Sequence, residues 1–508
     1  MAKSLKFSNL AKLIQKLTKM LQYKYTTRIS ELSKSLVEKN KSDDFFIKYL
    51  EVIKLSKLHR IFKDVKTKGY SVKLLIGILL SFPFIQKQSV NSYVNSILNS
   101  MQIGKDTFYR IKNNPKMNWR GFLYGAVNQA LKVIAKQQGG EIGKGKEKEK
   151  SLTAFILDDT TLHKMGKYIE GVSKIWDHVK HKSVLGFQLL VMGYYNGTHF
   201  LPVDFSLHRS KGSNKKNKFG LKPKEYRKQY NKKRDKDTQG YKRKKELDIK
   251  KTDSAIKMLK RAVKRGIKAS YVLTDSWFTN YEIVKTTISL GMHYIGMYSK
   301  VKTKFLFRGK QLTYKQIRNL SKKKAKRNRK FKLFYIREVV TWNDIKIVLY
   351  FTRQGKRGKW KVLISTDLSS TFNKTVEIYQ IRWTIEVFFK DAKQMLGLGK
   401  GQGNDFDSQI ADTTITMVQY IMLNVQNAAY KYESIGSIFR DTEQKYQNTR
   451  LHKRILAVII SIIQNIIYIF DEQDVDGIIA KLIYDEKVYQ KLQLLIDNTV
   501  KHELQKVA

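Results

Sequence analysis

The chain has 508 residues and a net charge of +56, from 99 Lys and Arg against 43 Asp and Glu. It has no cysteine, which excludes disulfides and thiolate-ligated zinc and fits a reducing, cytoplasmic setting. Hydrophobic residues make up 42%, enough for most of the length to fold, while so large a cationic excess repels itself unless a polyanion such as nucleic acid neutralises it.

The N-terminus, MAKSLKFSNLAKLIQKLTKML, is basic and amphipathic. It lacks the apolar stretch and small-residue cleavage site of a secretory signal. Residues 1–136 carry apolar residues at helical spacing and are expected to form a helical DNA-binding region. Within it, Ser92–Ile103 and Lys105–Asn113 meet at Gly104. A helix-turn-helix and an ordinary helical hairpin both fit; the first would offer Lys105, Thr107, Tyr109, Arg110 and Lys112 to DNA. Residues 137–150 are rich in Gly and charge and are expected to be a linker.

The pattern then changes to strands and helices. Thr153–Leu157 reads as a short strand ending at Asp158-Asp159. Val184–Tyr195 and Phe200–Leu207 flank Asn196-Gly197, a hairpin turn. Ser254–Arg265 is expected to be helical, Ser270–Thr274 a strand ending at Asp275, Tyr281–Leu290 a helix and His293–Met297 a strand. Strands followed by helices, with acids at strand ends, predict the α/β class. Residues 301–371 read as β-rich, through Phe305–Phe307, Phe331–Val340, Ile345–Phe351 and Lys361–Thr366. Residues 401–508 return to helices and offer a dimerisation surface. Their longest apolar run, Ile455–Phe470, contains Gln464 and Asn465 and is too short and too polar for a membrane span, so no membrane partner is expected. Two basic stretches, Arg209–Lys251 and Lys322–Lys330, read as solvated loops that order on a nucleic-acid backbone.

Chemistry concentrates in Glu377–Lys400, which reads as one helix. At about 100° per residue, Tyr379, Arg382, Glu386 and Lys393 fall within about 60° of one another. An adjacent face carries Ile378, Ile381, Ile385, Phe388, Ala392 and Leu396. A helix docked by that apolar face presents one carboxylate among phosphate-binding groups. The same spacing also allows a plain Arg382–Glu386 ion pair. Asp159, Asp275 and Glu386 each mark the end or face of an apolar element, and carboxylates suit Mg²⁺. A helix N-cap would account for either aspartate alone. Alternation along a strand lets only one of Asp158 and Asp159 reach a shared site.

The spacing Tyr379-x2-Arg382-x3-Glu386-x6-Lys393, the Asp-Thr-Thr at 159–161 and Asp275 after YVLT together resemble the signature of IS4-family DDE transposases of bacterial insertion sequences. The resemblance covers about residues 150–400. It implies an RNase H-like catalytic core over residues 151–400, interrupted by the β-rich insertion at about 301–371 and flanked by helical regions. It implies that Asp159, Asp275 and Glu386 hold two Mg²⁺, with Mn²⁺ able to substitute. Tyr379, Arg382 and Lys393 would grip phosphates of double-stranded DNA. Trp360, with Tyr298 second, would stack a flipped base. The implied reaction is cut-and-paste transposition through strand cleavage, hairpin formation and strand transfer, by a homodimer on paired ends. A non-cleaving DNA-binding protein of the same descent is the alternative, and the presence of all three acids disfavours it.

Overall fold

The computed structural model describes residues 59–440 except 63–64, 66–67, 85–88, 96–102, 141–151, 178–179, 213–216, 356 and 431–433. Among them twelve strands join in one sheet. These are β1 (Ala154–His163), β2 (Ser173–Asp177), β3 (Lys182–Tyr195), β4 (Phe200–His208), β5 (Tyr271–Thr274), β6 (His293–Tyr298), β7 (Lys304–Phe307), β8 (Lys310–Thr313), β9 (Lys326–Asn328), β10 (Leu333–Trp342), β11 (Ile345–Gln354) and β12 (Lys361–Ser365). The order across the sheet is β2-β3-β1-β5-β6-β12-β11-β10-β7-β8, with β4 also beside β3 and β9 beside β10. β1, β5 and β6 run parallel, and β5, buried on both faces, is the continuous apolar run such a central strand needs. β3 pairs antiparallel with β1, β4 and β2. The β-rich segment after residue 301 continues this sheet, because β12 pairs with β6.

The helices are α1 (Val72–Ser81), α2 (Val90–Val94), α3 (Lys105–Lys112), α4 (Trp119–Gly140), α5 (Pro223–Arg227), α6 (Gln239–Lys245), α7 (Lys251–Lys264), α8 (Tyr281–Ser289), α9 (Tyr314–Leu320), α10 (Phe372–Gln380), α11 (Trp383–Gln394) and α12 (Phe406–Tyr430). α4 packs along α12 and over β4. It runs through Gly140, into the linker expected over 137–150, the rest of which lies outside the described residues. α11 lies between β4 and α12, with the Phe388 ring 5.6 Å from Phe200 and 4.8 Å from Tyr420. No described helix is long and apolar enough to cross a membrane.

Four expectations change. β1 does not stop at the acids: β3 pairs with it all the way to His163, so Asp158 and Asp159 lie inside a strand. The helix expected over Glu377–Lys400 is two helices. Its carbonyl ladder shortens at the join, where Ile381 N bonds to Ile378 O and Arg382 N to Tyr379 O. The Thr384 hydroxyl bonds back to Ile381 O at 2.8 Å, which stabilises the bend. Of the helix expected over Ser92–Ile103, residues 96–102 lie outside the described residues, and Lys112 is buried in an ion pair with Asp412 rather than offered to DNA.

The fourth change concerns Arg209–Lys251, which is folded. It contains α5 and α6, and a few of its cations pair with acids, while Lys222, Lys224, Arg227, Lys228, Lys233 and Lys236 among others stay exposed. Arg234, 2% exposed, bonds Glu170, Asp405 and Asp407. Lys232 bonds Asp405 and Asp407, and Lys244 bonds Glu170. Buried charges persist only when paired in this way. In Lys322–Lys330, Lys324 and Lys330 pair with Glu338 and Glu377, while Lys322, Lys323, Lys326, Arg327 and Arg329 are exposed.

Candidate active site

The parallel register of β1 and β5 ends at Leu157 opposite Thr274. The next residue on each side is an acid, Asp158 on β1 and Asp275 in the turn after β5. Neighbouring strands lie about 4.8 Å apart, so these two carboxyls meet at the carboxyl ends of the parallel strands, where α/β sheets bind ligands. Asp275 is held by that turn: its Oδ1 accepts from Trp277 N at 3.0 Å and Phe278 N at 3.2 Å.

Alternation along β1 then separates the neighbours. Asp158 and Thr160 face α11. Asp158 Oδ2 accepts from Arg382 Nη1 at 3.1 Å, and Thr160 Oγ1 accepts from Lys393 Nζ at 2.6 Å. Arg382 Nη2 donates to Glu386 Oε1 at 2.5 Å, so one guanidinium bridges two carboxylates. Asp159 faces the other way and accepts from Lys251 Nζ, at the start of α7, at 2.8 Å. The two adjacent acids are thus each paired with a cation from a different helix on a different face of the sheet.

Electrostatics mark this cluster as short of positive charge. Burial, then the negative charge of Asp275, pushes the Asp158 carboxyl up to about 7. Burial also raises Asp275, with Asp159 adding to it against two backbone hydrogen bonds. Burial lifts the Tyr379 phenol to about 12. Burial lowers Lys393, opposed by Asp177. Carboxyls with raised proton affinity beside one another are poised to take a cation.

The expected site residues fall as follows. Asp275, Glu386, Arg382 and Tyr379 gather around Asp158, and Lys393 reaches Thr160 two residues further along β1. The Tyr379 ring centre lies 5.8 Å from the guanidinium carbon of Arg382. Asp159 adds its charge to the field at Asp275 but turns toward Lys251 rather than Glu386. Trp360 is half-buried just ahead of β12, with the Arg353 guanidinium 4.6 Å over its ring, and β6 separates it from β5 and Asp275. Tyr298 is buried among Phe305, Tyr314 and Trp342, which leaves no open ring face for a base.

Sequence reasoning missed Lys251, Trp277 and Trp383. Trp277 is 49% exposed two residues after Asp275, with Lys251 Nζ 3.9 Å from its ring centre. Trp383 is 62% exposed beside Arg382. Their positions next to motif residues are a signal in the sequence; the approach of Lys251 to Asp159 leaves none.

Asp158, Asp275 and Glu386 offer oxygen donors only, the set that Mg²⁺ and Mn²⁺ prefer. Among the described residues no three such side chains already stand as a metal cage. The Arg382 guanidinium bridges two of the three carboxyls instead. The donor chemistry fits a divalent ion once that guanidinium gives way.

Residues 117–342 match a family model described as DDE superfamily endonuclease. The match supports a DDE-type transposase. It takes in Asp158, Asp159 and Asp275, and it ends at the last residue of β10, before Tyr379, Arg382, Glu386 and Lys393. It covers less than half of the 508-residue chain. No curated protein matches the chain.

Proposed function

We propose that this DDE-type enzyme is a cut-and-paste DNA transposase of the IS4 kind, with Asp158, Asp275 and Glu386 as its metal-holding acids. The observation that carries the reading is the bridge Asp158–Arg382–Glu386 beside Asp275, which draws together β1, the turn after β5 and α11. An RNase H-like core is supported by the order β4-β3-β1-β5-β6, with β3 antiparallel to both neighbours and β1, β5 and β6 parallel. Asp158 is favoured over Asp159 because it shares the face of Arg382 and Glu386.

Bound at these carboxylates, two divalent ions would polarise an attacking oxygen and a departing one in a phosphodiester. The chain's own groups do the rest. Arg382, released from the acids, has the planar fork to take a phosphate of the DNA end bidentately. Lys393, held by Thr160, adds a point charge further along the same face. Tyr379 braces Arg382. Lys251 keeps Asp159 paired. Hairpin formation and strand transfer follow from the likeness of the helix signature, with Trp360 as the base-stacking candidate and Trp277 and Trp383 as exposed alternatives. The enzyme would act on double-stranded DNA as a homodimer.

The test is Mg²⁺-dependent cleavage of DNA carrying the sequences that flank the gene. Asp158→Ala, Asp275→Ala and Glu386→Ala should each abolish cutting while DNA binding persists. Asp159→Ala should still cut. Full activity in Asp158→Ala and none in Asp159→Ala would transfer the role to Asp159. DNA binding without cutting by the parent protein, under Mg²⁺ or Mn²⁺, would favour the non-cleaving alternative.

A further inference from the structure

Three hydroxyls are buried against the backbone of Asp275. Thr274, Thr279 and Tyr294 each have no solvent exposure. The Tyr294 hydroxyl lies 2.5 Å from Thr274 Oγ1 and donates to Thr279 Oγ1 at 2.8 Å. Thr279 Oγ1 donates to the carbonyl oxygen of Asp275 at 2.9 Å, and Thr274 Oγ1 lies 3.1 Å from the same oxygen. Each hydroxyl has one proton to give. The order Thr274 to Tyr294 to Thr279 to the Asp275 carbonyl uses each proton once and leaves none without an acceptor.

Register explains why the cluster forms here. On the adjacent parallel strands β5 and β6, Val272 pairs with Tyr294 and Thr274 with Gly296. Side chains at 294 and 296 share a face. The Tyr294 side chain therefore runs along β6 over Gly296 to reach Thr274. A Cβ on Gly296 would sit 2.6 Å from both the Tyr294 hydroxyl and Thr279 Oγ1, and 3.0 Å from Thr274 Oγ1. Glycine is required by the space the hydroxyls occupy, not by its backbone angles.

Valine at 274 and 279 and phenylalanine at 294 would fill nearly the same volume without buried polar atoms, which are costly to bury. What the hydroxyls add is direction. They fix the carbonyl of Asp275, while the Trp277 and Phe278 amides fix its Oδ1. We propose that Thr274, Thr279 and Tyr294 are positioning residues that hold Asp275 in one orientation for a divalent cation. This rests on the metal-site reading above.

The experiment is Mn²⁺ binding to the full-length protein, followed by electron paramagnetic resonance. Outer-shell hydrogen-bond partners of metal ligands are worth about 10-fold or more in affinity, so Tyr294→Phe and Thr279→Val should each bind Mn²⁺ about 10-fold more weakly. DNA binding should stay at the parent level. Thr279→Ser keeps the hydroxyl and should restore parent affinity, which a role in packing alone would not do. If Tyr294→Phe does not fold, the Thr279→Val and Thr279→Ser pair decides. Affinity within about twofold of the parent in the folded hydroxyl-deletion variants would overturn the positioning role. Parent Mn²⁺ binding unchanged by Asp275→Ala would overturn the metal-site reading and this inference with it.

Discussion

Arg382 is the residue on which the site turns. Its two terminal nitrogens bond Asp158 and Glu386, so one positive charge serves two carboxylates beside Asp275. Burial works against its own charge, but Tyr379, Glu386 and Asp158 hold it protonated. On the proposed function, a guanidinium in this position both competes with a metal ion and, once displaced, is placed to grip DNA. Removing it should therefore split two properties that usually fall together. In Arg382→Gln, Mn²⁺ affinity should rise, because a competing cation is gone. Cleavage should fall by about 10²-fold, the usual loss when a preorganised charge donor at a reacting phosphate is removed. Metal titration and single-turnover cleavage on the same preparation check this. A parallel fall in both would make Arg382 a scaffold for the acids and nothing more.

At the scale of elements, the two basic stretches look alike in sequence and differ in structure. The Arg234 side chain is buried among Glu170, Asp405 and Asp407, so Arg234→Ala leaves three buried acids to Lys232 and Lys244 alone and should cost about 3 kcal/mol of stability by denaturant unfolding. Changing the exposed Lys322, Lys323, Lys326, Arg327 and Arg329 to Gln should leave stability almost untouched. It should weaken binding to all DNA alike and flatten the salt slope by up to about 0.9 for each phosphate that is no longer neutralised. A weakening confined to one DNA sequence would count against backbone binding. Composition could not separate the stretches, because the acids that order the first lie far along the chain, at 170 and 405–407. Other elements were legible. The strands β5, β6 and β10–β12 follow apolar runs bounded by turns, and Asn196-Gly197 does mark the β3–β4 connection. The site was legible in part. Arg382 and Glu386 pair at the i,i+4 spacing that the sequence allows, whereas spacing alone did not bring Asp275 to them. The bend between α10 and α11 was not visible, since helical periodicity carries across one tightened turn. The face of β1 that meets α11 was not visible either, because a pair of adjacent acids reads the same in both directions until α11 is docked.

At the scale of the whole molecule, the charge of +56 sets how copies of the chain meet one another and DNA. A phosphate backbone can neutralise many of these cations, whereas a second copy brings the same excess again. The proposed cut-and-paste chemistry would hold two DNA ends at once, which calls for two active subunits. The apolar run Ile455–Phe470, the surface expected to join them, lies outside the described residues. The charge nevertheless makes the order of events predictable. The free protein should be monomeric at moderate salt, and two copies should assemble when paired end DNA is present. Light scattering gives both masses. Raising the salt to about 1 M, where the screening length shrinks to about 3 Å, should let copies associate without DNA if repulsion is what keeps them apart. Monomers that persist at that salt would show that DNA bridges the copies instead of merely discharging them. A strict one-to-one complex that still excises both ends would rule out the dimer.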